Sequence, residues 1–234
     1  MKPGFRPERF VPLMAGNRRV GWLRPELAAR LGAFEEIFAS SADRVTLRAP
    51  EGLAPVVEQL ADEGFIPGWR NERYRIEDLF EIERAAARPF GLTTEAVHLN
   101  GIVGERMWLA RRSATKPIDP GLLDNLVGGG VSAGFSIQDT LTKEAWEEAG
   151  IPAELAARAT RGGTVRVLRE VPEGVQSEVV HVYNLLLPET FTPRNQDGEV
   201  QEFRLASFAE VRARDDMTHE AKLVALDYLK SSAR

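Results

Sequence analysis

The sequence contains no cysteine among its 234 residues. Disulfide bonds, thiolate nucleophiles and cysteine-ligated zinc or iron–sulfur centres are therefore excluded together. A bound metal ion must take oxygen or histidine ligands, and the three histidines, at positions 98, 181 and 219, lack the spacing of a ligand set. His181 lies in an apolar stretch, so we interpret it as a buried, hydrogen-bonded histidine and not as a metal ligand.

Long apolar runs are also missing. No stretch approaches the roughly 18 consecutive apolar residues of a membrane span, and residues 1–7 have no apolar core of the kind found in a signal peptide. We therefore expect a cytoplasmic protein with no membrane partner.

Positive charge is in the minority, with 30 Lys and Arg against 35 Asp and Glu, a formal net charge of -5 and a pI near 5.4. This balance argues against a polyanion bound over a broad face, so nucleic acid is not an expected partner, although a local basic pocket stays open. The sequence has no phosphate-loop lysine after its glycines, so a kinase function lacks support.

The composition is that of an ordinary globular protein, with 43% hydrophobic and 28% charged residues. A chain of this length forms one large domain or two modest ones. Pro89 and Gly91 end a predicted helix over residues 77–87 and mark a boundary. We therefore predict a small α+β N-terminal domain at residues 1–90 and a second domain at residues 91–234.

Apolar spacing predicts the main elements of both domains. In the first, Pro25 begins a helix that turns Leu27, Leu31 and Phe34 inward, and residues 53–60 form a helix ended near Gly64. The predicted strands of that domain are residues 20–23 and 45–48. The second domain has predicted strands at residues 97–103, 107–111, 164–169, 179–187 and 199–205, with a closing helix at residues 219–229.

A glycine-rich segment, residues 128–134, precedes a further predicted helix. We interpret the glycines as a loop that approaches a ligand closely, with its backbone N–H groups available. Ser136 is a good N-cap and Asp139, three residues on, gives a variant of the capping box, so the helix begins just after Ser136. Gly150 ends it.

Three carboxylates, Glu144, Glu147 and Glu148, share one face of this helix at spacings i, i+3 and i+4. Like charges at these spacings destabilise a helix by a few tenths of a kcal/mol per pair, whereas a hard dication with oxygen ligands reverses that sign. A solvated acidic face is the alternative for a bare Glu-x-x-Glu-Glu pattern. The opposite, apolar arc consists of Leu141, Ala145 and Ala149.

From Gly129 to Ile151 the sequence resembles the signature of the Nudix hydrolases, G-x5-E-x7-R-E-U-x-E-E-x-G-U, where U is a bulky aliphatic residue. The resemblance implies an α/β fold, an α/β/α sandwich on a mixed sheet, and metal-assisted hydrolysis of a small-molecule diphosphate. It implies Mg²⁺ or Mn²⁺ as cofactor and allows a homodimer, since many relatives are dimers. The positions that match in register are Gly129, Glu144, Glu147, Glu148, Gly150 and Ile151.

The sequence departs from the signature at three positions. Phe135 stands in place of the first glutamate, Lys143 in place of the arginine and Ala145 in place of the aliphatic residue. Phe135 cannot bind metal, and Lys143 can pair with a glutamate only as a point charge. The expected metal ligands are therefore Glu144, Glu147 and Glu148, with Lys143 as their partner. The alternative function is a Nudix scaffold that senses a ligand without cleaving it.

Further site residues are expected outside the helix. Many Nudix enzymes recruit an acidic residue from a comparable later loop, which points to Glu199 as a metal ligand or general base; an exposed Asp-Gly turn is the alternative. Arg112 and Lys116 could clamp a diphosphate, while Arg111 should point to the opposite face of its strand. Trp69 could stack on a heteroaromatic ring; a place in the core or at a domain interface is the alternative. The expected substrate-binding residues are Lys116, Arg112, Trp69, Gly129 and Gly130.

Stretches outside the signature resemble one branch of the superfamily that carries an added N-terminal domain. Fungal and plant members of that branch are associated with thiamine diphosphate metabolism, some fused to thiamine pyrophosphokinase. The resemblance implies hydrolysis of thiamine diphosphate, or its oxidised or damaged analogues, to a monophosphate plus phosphate. ADP-ribose, a nucleotide sugar or a dinucleotide is the alternative substrate. The stretches include Arg19-Val-Gly-Trp-Leu-Arg-Pro, Gly68-Trp-Arg-Asn-Glu-Arg-Tyr74 and Asp124-Asn-Leu-Val-Gly-Gly.

Overall fold

The computed structural model describes residues 4–116 and 118–231. The chain divides into two compact units. Unit 1 takes the described residues of Met1–Thr94, Ser132–Gly134 and Arg166–Glu178. Unit 2 takes the described residues of Glu95–Val131, Phe135–Val165 and Val179–Arg234. The domain boundary near residue 90 stays a prediction.

Unit 1 contains a mixed sheet of short strands. Its strands are β1 (Val11–Ala15), β2 (Arg18–Leu23), β3 (Phe38–Ser40) and β4 (Val45–Leu47), in the order β2-β1-β4-β3. Strand β1 pairs antiparallel with β2 and parallel with β4. Helices α1 (Pro25–Leu31) and α2 (Leu53–Asp62) contribute to one core with this sheet. The largest fully buried side chains of that core include Leu13, Leu23, Leu31, Phe38, Leu60 and Phe90.

Two features of unit 1 differ from the sequence-based prediction. Helix α1 ends at Leu31, so Phe34 lies in the turn that follows and is only partly buried. The predicted helix over residues 77–87 is wrong. The chain there forms strands β5 (Arg73–Ile76) and β6 (Phe80–Glu83), which pair antiparallel, and a 3-10 helix at Arg84–Ala86.

The physical reason for the second difference is the turn at Glu77. This residue has a φ of 50°, in the left-handed region that an α-helix of L-residues cannot continue through. Tyr74 and Ile76 are buried while their neighbours in β5 are exposed, which is the two-residue period of a strand. Short 3-10 helices also occur at Pro7–Arg9 and Pro50–Gly52.

The second sheet carries the predicted strands of the C-terminal part of the chain. Its strand order is β11-β12-β7-β8-β13, with β10 paired to β7 and β9 paired to β8. These strands are β7 (Thr93–Val103), β8 (Arg106–Arg112), β9 (Leu123–Asn125), β10 (Val127–Gly130), β11 (Thr160–Val171), β12 (Gly174–Leu186) and β13 (Val200–Ser207). Gly104, with a φ of 56°, lies in the hairpin turn between β7 and β8.

Helices cover both faces of this sheet. They are α3 (Ile137–Ala149), α4 (Ala153–Ala156), α5 (Phe208–Ala213) and α6 (His219–Ser231). Leu141 and Ala145 of α3 share a core with Val97 and Leu99 of β7 on one face. On the other face, residues of α5 and α6 share a core with Ile102, Met107 and Leu109. The α/β class and the α/β/α sandwich predicted from the sequence are confirmed.

Within the described residues, no helix combines the length and apolarity that crossing a membrane requires.

Candidate active site

Helix α3 begins and ends where its capping residues predict. The Ser136 hydroxyl accepts the Asp139 N–H at 3.1 Å, and the Asp139 carboxylate accepts the Ser136 N–H at 3.2 Å. Together they form a capping box. At the other end Gly150 adopts the left-handed conformation, with a φ of 63°. These two ends set the bounds of α3, and its apolar residues Leu141, Ala145 and Ala149 face the core.

The three glutamates of α3 are not equally exposed, contrary to the shared patch expected from the sequence. The side chain of Glu147 is 37% exposed and that of Glu144 is 15% exposed, whereas that of Glu148 is 7% exposed. Glu148 directly precedes Ala149, which is fully buried against the sheet, and it lies at the edge of the apolar arc. One of the three carboxylates is therefore held inside the protein.

The buried carboxylate of Glu148 is fixed by a backbone donor and faces a lysine. The Gly128 N–H donates to Glu148 Oε2 at 2.8 Å, and Lys116 Nζ lies 3.9 Å from Glu148 Oε1. Burial raises the pKa of Glu148 to about 8, although the charge of Lys116 opposes this rise; the nearby Glu144 carboxylate adds to it. Ionised Glu148 therefore needs positive charge beside it.

The glycines that precede α3 form a strand and not the loop expected from the sequence. Residues 128–130 belong to β10, which pairs antiparallel with β7, and Gly130 lies opposite Ala96. A Cβ atom on Gly128 would lie 3.0 Å from His98 Cε1. A Cβ atom on Gly129 would lie 2.5 Å from Glu144 Cδ. A larger residue at either position would have to displace a neighbouring side chain, that of His98 at position 128 or that of Glu144 at position 129.

Lys143 pairs with two of the glutamates. Its Nζ lies 2.6 Å from Glu147 Oε2 and 3.1 Å from Glu144 Oε1. Burial alone would lower the pKa of Lys143, but the hydrogen bond to Glu147 and the charge of Glu144 raise it to about 12. Lys143 thus remains a cation that offsets the repulsion between two neighbouring carboxylates.

Lys116 connects the helix to the segment before β13. It forms an ion pair with Glu199, in addition to its approach to Glu148. Burial lowers the pKa of Lys116, and the Glu148 carboxylate opposes this shift. The fold therefore brings together three candidate site residues that are distant in the sequence: Lys116, Glu148 and Glu199.

The two neighbouring arginines of β8 have different surroundings. Arg111 Nε lies 2.6 Å from the exposed carboxylate of Glu202. Arg112 Nη1 lies 2.9 Å from Asp124, and the positive charge of Arg112 acts on Lys116. Arg112 therefore lies on the side of Lys116, and Arg111 pairs with a surface acid on the adjacent strand.

Trp69 and His181 are the remaining residues from the sequence analysis. Trp69 belongs to unit 1, whereas the glutamates, Lys116 and Arg112 belong to unit 2. The Trp69 side chain is partly exposed, and its indole N–H donates to Asn71 Oδ1 at 2.9 Å. His181 is buried, with Nε2 2.9 Å from Glu95 and Nδ1 3.3 Å from Arg161. These contacts agree with its interpretation as a hydrogen-bonded buried histidine.

A buried polar network beside the glycine strand was not predicted. His98 Nδ1 lies 2.8 Å from Asn125 Oδ1, and the Asn125 side-chain amide donates to Asn100 Oδ1 at 2.9 Å. His98 also lies 3.6 Å from the Asp124 carboxylate that pairs with Arg112. A signal was present in the sequence, because Asp124 and Asn125 interrupt an apolar run immediately before the glycines.

The glutamates have the chemistry of a site for a hard dication, but they are engaged with cations of the protein. Among the residues that the structure describes, no three acidic or histidine side chains are already grouped to hold a metal ion. Lys143 pairs with Glu144 and Glu147, and Lys116 approaches Glu148. Carboxylate oxygens on adjacent helical turns suit Mg²⁺, and both burial and the charge of Glu144 disfavour an unneutralised carboxylate at Glu148. The residues present therefore fit a divalent metal that displaces these pairings.

Sequence comparisons show which family the chain matches. A family model described as NUDIX domain matches residues 93–227. The chain belongs to the Nudix family. A second model, described as a domain of unknown function, DUF4743, matches residues 1–94. The Nudix match contains α3, the glycine strand, Lys116 and Glu199.

Two similar relatives come from Arabidopsis thaliana. Nudix hydrolase 20, chloroplastic, is 37% identical, and the alignment covers 94% of this chain and 67% of that protein. Nudix hydrolase 24, chloroplastic, is 38% identical, and the alignment again covers 94% of this chain and 67% of that protein. Among solved structures, DR0079 from Deinococcus radiodurans is 21% identical with a TM-score of 0.51, covering 67% of this chain and 98% of that one. The structural likeness supports the fold alone.

Family membership sets the reaction class. As a Nudix hydrolase the protein is a pyrophosphohydrolase, and enzymes of this family generally use divalent metals such as Mg²⁺ or Mn²⁺.

Proposed function

We propose that this Nudix hydrolase uses Mg²⁺ or Mn²⁺ to cleave the diphosphate of a small organic diphosphate, thiamine diphosphate or its oxidised or damaged analogues, to a monophosphate plus phosphate. The observation that carries the reaction is the meeting of Glu148, Lys116 and Glu199 beside the glycine strand. The choice of substrate rests on the resemblance of the flanking stretches to the thiamine-associated branch.

Each group near the glycine strand has a distinct task in this proposal. Glu144, Glu147 and Glu148 would hold the divalent metal, which supplies charge neutralisation and a more acidic water when bound. Lys116 and Arg112 bind the diphosphate oxygens, because Lys116 Nζ lies 3.9 Å from Glu148 Oε1 and the charge of Arg112 acts on Lys116.

Hydrolysis then requires an acceptor for a proton. Water attacks phosphorus, a new P–O bond forms, the bridging P–O bond breaks, and the attacking water loses a proton. Glu199 is the proposed proton acceptor, since its partly exposed carboxylate contacts Lys116 at the edge of the site. A substrate bound by Lys116 would release Glu199 from this ion pair.

The proposal is tested with a panel of diphosphates in ¹⁸O-labelled water, with products read by mass spectrometry with and without Mg²⁺. We expect thiamine diphosphate or an oxidised analogue to give the highest kcat/KM, with one ¹⁸O atom in either the monophosphate or the phosphate. Glu148→Gln should lower this rate at least a hundredfold. Glu154→Gln, at an exposed glutamate on α4, is the matched control and should leave it unchanged. A rate for Glu148→Gln within threefold of wild type would show that the metal site is wrongly assigned.

The same panel decides the alternative substrates. A higher kcat/KM for ADP-ribose or a nucleotide sugar, with Glu148 still required, would retain the site and replace the substrate. Phe135 and Lys143 favour a different alternative, a ligand sensor, because Phe135 carries no carboxylate and Lys143 occupies two of the remaining ones. Tight retention of a diphosphate with no turnover over hours would support the sensor.

A further inference from the structure

Unit 1 contains a cavity whose lining includes Trp69 and none of the other residues expected to take part in hydrolysis. Its volume is about 570 Å³, within the range of roughly 300–1,000 Å³ typical of small-molecule sites. Its wall comes from the first turns of α2, from β6 and from the segment around Trp69, which all belong to unit 1. The Nudix chemistry leaves this cavity without a function.

One wall of the cavity is aromatic and apolar. Trp69 and Phe80 line it together with Leu79, and the indole of Trp69 is partly exposed. The hydrogen bond from the Trp69 indole N–H to Asn71 fixes the direction of the ring. A partly exposed, oriented indole offers its face to a flat ring or to a cation.

The remaining wall is acidic. Glu51, Glu58, Glu81 and Glu83 line the cavity with a single cationic residue, Arg73. Glu81 pairs with Arg75 at 3.2 Å, while Glu51 and Glu58 have no ion-pair partner among the described residues. The carboxylates that are not neutralised therefore outnumber the one guanidinium.

Glu83 gives the cavity a built-in acceptor. The residue is only 8% exposed, and its Oε1 accepts the backbone N–H groups of Arg70 at 2.9 Å and Ala85 at 3.1 Å. Its Oε2 has no hydrogen-bond partner among the described residues. This oxygen is also not fully enclosed by the protein. Because Glu83 lines the cavity, this second oxygen is available to a ligand there.

The start of α2 provides few free backbone N–H groups that would offset the negative charge of the cavity. The Gly52 N–H donates to Ala49 O at 3.1 Å and the Leu53 N–H donates to Pro50 O, while Pro55 has no N–H. Backbone donors at this helix end are thus largely used or missing, and the charge of the cavity is set by its carboxylates.

We infer that this cavity is a second ligand site, which binds a small organic cation carrying a flat apolar ring. The ring stacks on Trp69 and packs against Phe80, and the cationic group lies between Glu83 Oε2 and the carboxylates of Glu51 and Glu58. The inference does not depend on which diphosphate the Nudix site hydrolyses.

The test uses benzyltrimethylammonium as the cationic probe, with benzyl alcohol and benzoate as its neutral and anionic counterparts. Binding to the full chain is followed through the indole N–H signals of the four tryptophans by NMR, with the Trp69 signal assigned by its loss in Trp69→Phe. We expect a saturable shift of the Trp69 signal with the cation. Benzyl alcohol should bind at least fivefold more weakly, and benzoate should not bind.

Charge variants locate the site. Glu83→Gln keeps an oxygen that can accept both backbone N–H groups and removes the charge, so we expect the affinity for the cation to fall at least fivefold. Glu58→Gln, at an exposed position of α2, should also lower the affinity for the cation. It replaces Glu83→Gln as the test variant if Glu83→Gln does not fold. Glu36→Gln, an exposed glutamate of unit 1 outside the cavity wall, is the control and should leave it unchanged. Equal affinity for alcohol and cation, no saturable shift, or unchanged affinity in the Glu83 or Glu58 variant would overturn the inference.

Discussion

Gly129 leaves space for the carboxylate of Glu144, since a Cβ atom at position 129 would lie 2.5 Å from Glu144 Cδ. We predict that Gly129→Ala pushes this carboxylate aside, because the obstructing atoms are at the far end of a flexible side chain. The melting temperature should change by no more than roughly 3 °C, equivalent to about 1 kcal/mol in a chain of this size. The kcat/KM for the best diphosphate should fall at least tenfold.

The comparison for this variant is Gly4→Ala, where a Cβ atom would meet nothing within 4 Å. Activity and melting temperature should both stay at the wild-type values in that control. Full activity of Gly129→Ala would mean that Glu144 can leave its observed position without loss of function.

The burial of Glu148 makes the free energy of unfolding depend on pH. Its pKa rises from 4.5 to about 8 in the folded protein, so the folded state binds more protons than the unfolded state between these values. The stabilising contribution of protonated Glu148 is therefore complete below about pH 4.5 and is lost as the pH rises through about 8. In metal-free protein, Glu148→Gln should reduce the decline in melting temperature between pH 5 and pH 8.

Glu147→Gln is the matched comparison for this pH effect, since Glu147 is the most exposed of the three glutamates. Its melting temperature should follow the wild-type dependence on pH. Parallel curves for wild type and Glu148→Gln would contradict the assignment of the proton to Glu148.

Local sequence patterns were sufficient to predict parts of the fold that depend on neighbouring residues. The ends of α3 follow from Ser136, Asp139 and Gly150, which act within one turn of the helix. The helix predicted over residues 77–87 was wrong because its apolar residues also fit the two-residue period of a strand. The left-handed turn lies at Glu77 and not at a glycine, so the sequence did not indicate it.

The arrangement of the site depended on contacts between distant residues. The helical pattern placed Glu148 with Glu144 and Glu147, but the Glu148 carboxylate accepts a hydrogen bond from Gly128, which is 20 residues away. The ion pair of Lys116 with Glu199 joins residues 83 positions apart. Such distances cannot be read from periodicity, because they are set by how the strands pair in the sheet.

Arg112 and Arg111 should differ in their effect on substrate affinity. Arg112 lies with Asp124 on the side of Lys116, whereas Arg111 pairs with Glu202, a half-exposed surface acid. We predict that Arg112→Lys raises the KM for the best diphosphate about tenfold, or about 1.4 kcal/mol, because lysine lacks the planar fork that donates to Ile118 O and Asp124 and holds the cation in place. Arg111→Lys should change KM less than twofold. Steady-state kinetics of both variants at saturating Mg²⁺ provide the test, and equal effects would remove Arg112 from the diphosphate site.

Glu199 and Glu202 provide a matched pair for the proton acceptor. Both flank the start of β13, but Glu199 contacts Lys116 while Glu202 pairs with Arg111. A general base contributes typically 10²–10⁴-fold to a rate. We therefore predict that Glu199→Gln lowers kcat at least a hundredfold and removes the acidic limb of the pH–rate profile. Its affinity for Mn²⁺, measured by electron paramagnetic resonance, should stay within twofold of wild type, and Glu202→Gln should retain full kcat. A parallel loss of Mn²⁺ affinity and kcat in Glu199→Gln would make this residue a metal ligand, while an unchanged kcat would assign the base to another group.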